Sequence, residues 1–166
     1  VEIGALMGAE VVAVARGTEK LEIARKAGAS HLIDAESSDI LGQIKARGGA
    51  DVVYEVVGGD LFDQCFRATN PDGRILAIGF AGGEVPQIKA NHLLVKNLSV
   101  IGLYWGGYLA FRPSVLTESL KQLFDWYVQG RLRPHVSHEL PLQQAAEALE
   151  LLRQRRSTGK VVVTMR

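Results

Sequence analysis

Short apolar runs rich in β-branched residues alternate with amphipathic stretches along this chain, and no other feature constrains the fold as much. The runs within 11–15, 51–57 and 74–78 are largely apolar on both faces of a strand, as in parallel strands buried inside a sheet. The stretches between them repeat apolar residues at the three-to-four spacing of a helix with one buried face. This alternation predicts an α/β fold with a parallel sheet covered on both sides.

Polar side chains and glycines mark the predicted ends of the elements. Thr18 is the expected N-cap of one helix, and Gly28 is expected to end it. Ser37 or Ser38 is expected to begin the next helix. Proline and glycine within 70–73 predict a tight turn before the strand at 74–78.

The first residues show a second constraint. Residues 1–9 have the pattern of the second half of a helix, and the strand at 11–15 follows at once. In a dinucleotide-binding unit, a strand and a glycine-rich turn precede such a helix. Neither is found in this sequence. We therefore expect a Rossmann-like, doubly wound parallel sheet lacking its first strand and glycine-rich turn, and we expect the chain alone to turn over no substrate.

Composition narrows the class of protein. Among 166 residues, 47% are hydrophobic and 22% charged, as in an ordinary globular protein. The formal net charge of +1 gives no indication of a nucleic-acid or membrane partner. No apolar run approaches the roughly 20 residues of a membrane span. A single cysteine excludes an internal disulfide, which favours a cytoplasmic location.

The first strand ends among cationic and hydroxyl side chains. Ligands of doubly wound sheets lie at the carboxyl ends of the strands, where an acidic residue binds the ribose hydroxyls of NAD. Here the strand end carries Arg16, with Thr18 and Lys20 close behind. Cations and hydroxyl donors suit a 2′-phosphate, which predicts NADPH as the cofactor. The alternative is that Arg16 and Lys20 are solvated surface charges.

Two later strands end at glycines. Val57 and Gly58 lie at the end of the third strand, and Gly79, Phe80 and Ala81 follow the fourth. Glycine at a strand end lets the backbone pass close to a flat cofactor because no side chain intervenes. The alternative is that these glycines only form turns.

Leu103, Tyr104 and Trp105 follow the fifth strand. An aromatic cluster there suits the wall of a pocket for a nicotinamide and an apolar substrate. It suits a subunit contact equally well. Cys65 is expected to be a buried thiol, and Glu55 to lie at a solvated strand end. The sequence predicts neither a catalytic residue nor a metal site.

Four stretches carry a family resemblance: 19–29, 51–59, 73–79 and 157–163. Through them the chain resembles the medium-chain dehydrogenase/reductase superfamily, and within it the zinc-free quinone oxidoreductase branch. The resemblance implies that residues 1–135 form a truncated dinucleotide-binding domain. It also implies that residues 136–166 return to a GroES-like catalytic domain that this sequence does not contain.

The resemblance further implies hydride transfer from NADPH to a quinone or an activated alkene or enone. The resemblance also assigns cofactor contacts, by position, to the same residues that the strand ends indicate. It implies a homodimer that pairs through the strand at 98–103. The family has a tyrosine after the short strand that corresponds to 31–33, and residues 33–35 contain none.

Other functions fit parts of the pattern. A relative of zinc-dependent alcohol dehydrogenases would carry its metal ligands upstream of residue 1. A non-catalytic NADPH-binding protein would keep the cofactor contacts without turnover. An S-adenosylmethionine methyltransferase uses a similar sheet but expects an acidic residue where Arg16 stands.

Overall fold

A computed structural model describes residues 1–37 and 39–165. The described chain divides into two compact units. The first contains Val1–Ala13, Gly17–Leu32 and the chain from Leu120 onward, and the second contains Val14–Arg16 and Ile33–Ser119. No helix in the described ranges is long and apolar enough to span a membrane.

Helices and strands alternate through most of the described chain. The strands are β1 (Val12–Ala15), β2 (His31–Asp34), β3 (Ala50–Glu55), β4 (Thr69–Ala77), β5 (Ser99–Gly102), β6 (Val136–Pro141) and β7 (Lys160–Thr164). The helices are α1 (Glu2–Leu6), α2 (Thr18–Lys26), α3 (Ile40–Lys45), α4 (Gly59–Ala68), α5 (Ala90–Lys96), α6 (Tyr108–Phe111), α7 (Pro113–Val128) and α8 (Ala145–Arg153). Short 3-10 turns lie at Trp105–Gly107 and Leu142–Gln144.

The strands form three hydrogen-bonded groups. In the second unit β3, β4 and β5 lie side by side and parallel, with Tyr54 opposite Leu76 and Leu76 opposite Ile101. β1 pairs with β2, and β6 pairs in parallel with β7. Alternating elements and parallel pairing confirm the predicted α/β class.

Each unit has a core of its own. In the second unit Phe62, Phe66, Ile75 and Leu98 form one buried cluster, and the Phe62 and Phe66 rings stack with centroids 5.7 Å apart. In the first unit the buried residues of β6 and α8 pack against β7. The alternating face of β4 and the apolar stripe of α4 thus hold the strand ends of the second unit in place.

Two predicted helix starts differ from the structure. Gly17 (φ 84°) is the N-cap of α2, and Thr18 is its first residue without a capping hydrogen bond. Asp39 caps α3 by accepting from the Gly42 N–H at 2.8 Å, whereas the predicted Ser38 lies outside the described residues. Threonine and serine are both favoured at N-caps, so residue type alone does not show which of several neighbouring positions is the N-cap. The backbone angles decide the position.

The turn predicted at 70–73 lies inside a strand. β4 begins at Thr69, and its pairing with β3 jumps from Thr69 to Arg74 while β3 advances by two residues, from Ala50 to Val52. Asp72 takes the left-handed backbone conformation in this bulge, with φ 61°. The sequence therefore indicated an irregular backbone here, but the irregularity is a bulge, and β4 pairs with β3 on both sides of it.

Candidate functional site

An apolar cleft of about 450 Å³ lies at the carboxyl ends of β4 and β5. Its eight lining residues are uncharged, and all belong to the second unit: Ala77, Ile78, Phe80, Gly102, Leu103, Tyr104, Tyr108 and Phe111. The cleft brings together Phe80, Leu103 and Tyr104, which the sequence indicated separately. A cleft of this size and lining suits a flat, apolar ligand group.

The chain that follows β5 forms most of the aromatic wall. The Leu103 N–H donates to the Ala77 carbonyl at 3.1 Å, which holds this segment against the end of β4. Tyr104 lies so close to Gly107 that a Cβ there would meet its ring at 2.7 Å. Glycine at 107 therefore lets the chain turn tightly behind the Tyr104 ring.

Two further aromatic residues of the cleft, Tyr108 and Phe111, lie on α6, and their ring centroids are 4.9 Å apart. Tyr108 continues the aromatic cluster that the sequence indicated after β5, whereas Phe111 was not predicted. α6 has only four residues, follows a 3-10 turn and contains no buried residue. Such a short element has too little periodicity for an apolar face to be recognised in a sequence.

Trp105 is held outside the lining of this cleft. Its indole Nε1–H donates to the Ser119 hydroxyl of α7 at 3.0 Å, and that hydroxyl donates to the Leu116 carbonyl at 2.9 Å. The ring thus ties the segment after β5 to a long helix. Its predicted contact with the cofactor stays a prediction.

The two glycine loops predicted beside the cofactor are joined to each other. Loop 56–58 follows β3, and loop 78–82 follows β4. Past the strand ends the two loops stay hydrogen-bonded, with the N–H groups of Ile78, Ala81 and Gly82 donating to the carbonyls of residues 55, 56 and 57 at 2.9, 2.9 and 2.8 Å. The loops are therefore held to each other, and displacement of one is expected to displace the other.

Close approach of backbone requires glycine at two points in these loops. A Cβ on Gly58 would lie 2.2 Å from the Glu84 carbonyl oxygen, and a Cβ on Gly82 would lie 2.8 Å from the Val57 carbonyl oxygen. Gly58 also has φ 81° and ψ −164°, a conformation that only glycine adopts readily. Gly79 and Ala81 lie in loop 78–82. The Ala81 N–H donates to the Val56 carbonyl, and a Cβ on Gly79 would lie near the same oxygen.

Glu55 lies where loop 56–58 begins. It is buried, so the solvated position expected from the sequence is wrong. It is the last residue of β3 and only 4% exposed. Its Oε1 accepts from the N–H groups of Val57 at 2.8 Å and Gly58 at 3.0 Å, and its Oε2 accepts from the latter at 3.1 Å. The spacing allows this role, because an acidic residue two and three positions before the amides of a glycine turn can accept from them, but the same spacing also fits a solvated side chain.

The residues predicted for the 2′-phosphate belong to different units. In the second unit, Arg16 is exposed and its Nε lies 3.4 Å from Oε1 of Glu36. In the first unit, the Lys20 Nζ donates to the Arg155 carbonyl at 3.3 Å, and Thr18 is exposed at the start of α2. Exposed ion pairs contribute little free energy, so the Arg16 contact leaves this guanidinium available to another anion.

Cys65 is a buried thiol, as predicted. Burial, together with the nearby Glu55 carboxylate, raises the pKa of Cys65 to about 11. No group of three or more His, Cys, Asp or Glu side chains within 1–37 and 39–165 is arranged to hold a metal ion. The described residues therefore do not form a zinc site by themselves.

Comparison with known proteins places these features in a family. The family model described as zinc-binding dehydrogenase matches residues 27–163. A quinone oxidoreductase-like protein 2 homolog of Nematostella vectensis is 41% identical over 162 residues, covering 95% of this chain and 44% of the relative. The quinone oxidoreductase-like protein 2 of Bos taurus is 35% identical over 164 residues, covering 97% of this chain and 47% of the relative. The chain thus spans less than half the length of these relatives.

A solved structure shows the same fold. The quinone oxidoreductase of Thermus thermophilus, whose complex with NADPH is also known, superposes with a TM-score of 0.85 at 30% sequence identity. The match covers 99% of this chain and 52% of that protein.

Proposed function

Because this chain belongs to the zinc-binding dehydrogenase family, as its resemblance to medium-chain dehydrogenases indicated, we propose that the protein containing it transfers a hydride from NADPH to a quinone or an activated alkene or enone. The cleft at the ends of β4 and β5 carries this proposal, because its uncharged aromatic lining suits a nicotinamide ring and a flat apolar acceptor. The NADPH complex of the Thermus relative adds support.

The residues around the cleft fit the nicotinamide half of the cofactor. Gly58 and Gly82 let the two loops approach each other closely beside the cleft. In this proposal Val57, Gly58, Gly79, Phe80 and Ala81 contact the cofactor along the joined loops. Leu103, Tyr104 and Trp105 bound its nicotinamide end. When bound, NADPH would supply the hydride, and these residues would orient its ring.

The adenosine half is assigned to the end of β1. Arg16 and Lys20 would supply two charge-assisted hydrogen bonds to the 2′-phosphate, and the Thr18 hydroxyl a third contact. The weak ion pair between Arg16 and Glu36 would exchange for the phosphate. We assign no general acid to this chain, and the proton would come from solvent or from a donor outside it.

The test uses the full-length protein with NADPH and NADH, a quinone and an enone as acceptors. Arg16→Ala and Lys20→Ala should each raise KM for NADPH about tenfold or more, because a charged hydrogen bond contributes about 1.5–3 kcal/mol. KM for NADH should hardly change. Arg25→Ala is the matched control, since Arg25 is an exposed cation of α2 paired with Glu22. Equal effects on both cofactors would contradict the phosphate assignment, and absence of turnover with either acceptor class would contradict the reaction.

Dimerisation is a further part of the proposal. β5 is an outer strand of its sheet, and Ile101 on it is 44% exposed. An unpaired apolar strand edge favours pairing with a second copy. Sedimentation of the full-length protein should give a dimer that Ile101→Arg converts to a monomer, and a wild-type monomer at all concentrations would contradict this. The cytoplasmic location stays a prediction.

A further inference from the structure

Glu55 is a buried carboxylate at the place where the loops of the proposed cofactor site begin. Within the described residues, the buried polar side chains are Glu55 and Thr69. Burying a carboxylate is costly unless hydrogen-bond donors replace the lost water. The identity and position of those donors therefore indicate what this side chain does.

The donors are the backbone amides of the glycine turn itself. Glu55 accepts from the Val57 and Gly58 N–H groups, and in the described residues no side-chain cation lies within ion-pair distance of it. A carboxylate bound to two successive amides fixes the direction of the peptide planes between them. Glu55 thus determines the shape of loop 56–58 rather than the packing of a remote element.

The same shape is passed to loop 78–82. The carbonyls of residues 55, 56 and 57 accept from the second loop, so the Glu55 side chain and that loop hold opposite sides of one turn. The close contact of Gly58 with the Glu84 carbonyl leaves little room for either loop to move alone. Loss of the carboxylate would therefore change both loops.

We propose that Glu55 is a positioning residue for the cofactor, which holds loops 56–58 and 78–82 in the conformation that contacts the nicotinamide half of NADPH. This role rests on the proposed function for its ligand, but the hydrogen bonds to the turn do not. Glu55 acts through the loops and does not touch the reacting atoms.

Substitutions separate the role of the carboxylate from simple packing. Glu55→Ala removes both acceptors and leaves two amides without partners. Glu55→Gln keeps the side-chain length and one oxygen, so it should restore part of the loop conformation. Thr69→Val is the matched control, since Thr69 is equally buried in the same unit but lies at the amino end of β4, where its hydroxyl donates to the Cys65 carbonyl at 2.8 Å.

The experiment uses the full-length protein and two readouts. NADPH affinity is measured by fluorescence titration below the melting temperature of every variant. Hydrogen exchange of peptides spanning 56–58 and 78–82 is measured without cofactor. Glu55→Ala should weaken NADPH affinity at least tenfold and abolish protection in both loops, and Glu55→Gln should weaken affinity about threefold. Thr69→Val should lower the melting temperature and leave affinity and loop protection unchanged.

The outcomes distinguish this inference from the proposed function. Wild-type affinity in Glu55→Ala would overturn the inference, and so would an equal loss of affinity in Thr69→Val at a similar melting temperature. If Glu55→Ala does not fold, Glu55→Gln decides: unchanged affinity and exchange overturn the inference. If the wild-type protein binds no NADPH, the proposed function fails, and unchanged loop exchange in the Glu55 variants would then overturn the positioning role separately.

Discussion

Replacing Gly58 by alanine tests whether the conformation of the joined loops governs cofactor binding. Gly58 has φ 81° and ψ −164° and lies between β3 and α4. Backbone strain of a non-glycine residue in this region costs about 1–3 kcal/mol. The new Cβ would also lie 2.2 Å from the carbonyl oxygen of Glu84, just past loop 78–82, so this part of the chain must move as well.

Gly59→Ala provides a control one residue away. Gly59 has φ 57°, in the left-handed region, where a side chain costs about 1–2 kcal/mol. Its Cβ would come within 3.3 Å of Glu84 Oε2, the movable end of a side chain. Gly59→Ala should therefore destabilise the protein without displacing the second loop.

The assay measures the free energy of unfolding in urea and the Kd for NADPH with the full-length protein. Gly58→Ala should lower the former by at least about 1–3 kcal/mol and raise Kd about tenfold or more. Gly59→Ala should lower stability by a comparable amount and change Kd much less. Identical Kd values for the two variants, or a wild-type Kd for Gly58→Ala, would refute the reasoning from close approach.

Three further perturbations have expected outcomes. The pKa of Cys65 is raised to about 11. The contribution of this thiol to the free energy of unfolding should therefore be complete below the unfolded thiol pKa of about 8.5, and it should be lost as pH rises towards 11. Cys65→Ala should flatten that fall by at most about 3 kcal/mol in urea titrations at several pH values. Phe62→Ala should cost about 3–5 kcal/mol because the ring is 1% exposed, whereas Phe124→Ala, at 63% exposure, should cost about 0.5 kcal/mol or less. Lys96→Met should cost about 1–3 kcal/mol in thermal unfolding, because its Nζ donates to two carbonyls, at 3.0 and 2.8 Å, where α4 meets β4.

The apolar strands and their order of alternation could be predicted from the sequence because each strand is a short, continuous apolar run. Burial on both faces was not predicted correctly: Ile75 of β4 is fully buried, whereas Tyr54 of β3 and Ile101 of β5 are exposed. Phe80, Leu103 and Tyr104 share a cleft because carboxyl ends of parallel strands meet at one edge of a sheet, which the order of elements already implied.

Other features depend on backbone geometry that composition does not record. The N-cap of α2 is a glycine rather than the neighbouring threonine because the chain leaves β1 with positive φ. Glu55 is buried because two amides of the next turn face it, and an acidic residue at a strand end does not distinguish that from solvation. Phe111 lies on a helix too short to show a period.

The glycine N-caps of α2 and α4 limit how this protein can be made more heat-tolerant. A serine or aspartate N-cap ordinarily contributes about 1 kcal/mol, as Asp39 does for α3, but Gly17 and Gly58 occupy backbone angles that such residues reach only under strain. Replacing these two glycines by serine or aspartate is therefore not expected to raise the melting temperature. Lys89, the N-cap of α5, has the ordinary extended angles of φ −79° and ψ 112° and makes no side-chain cap. Lys89→Asp is therefore expected to stabilise this helix.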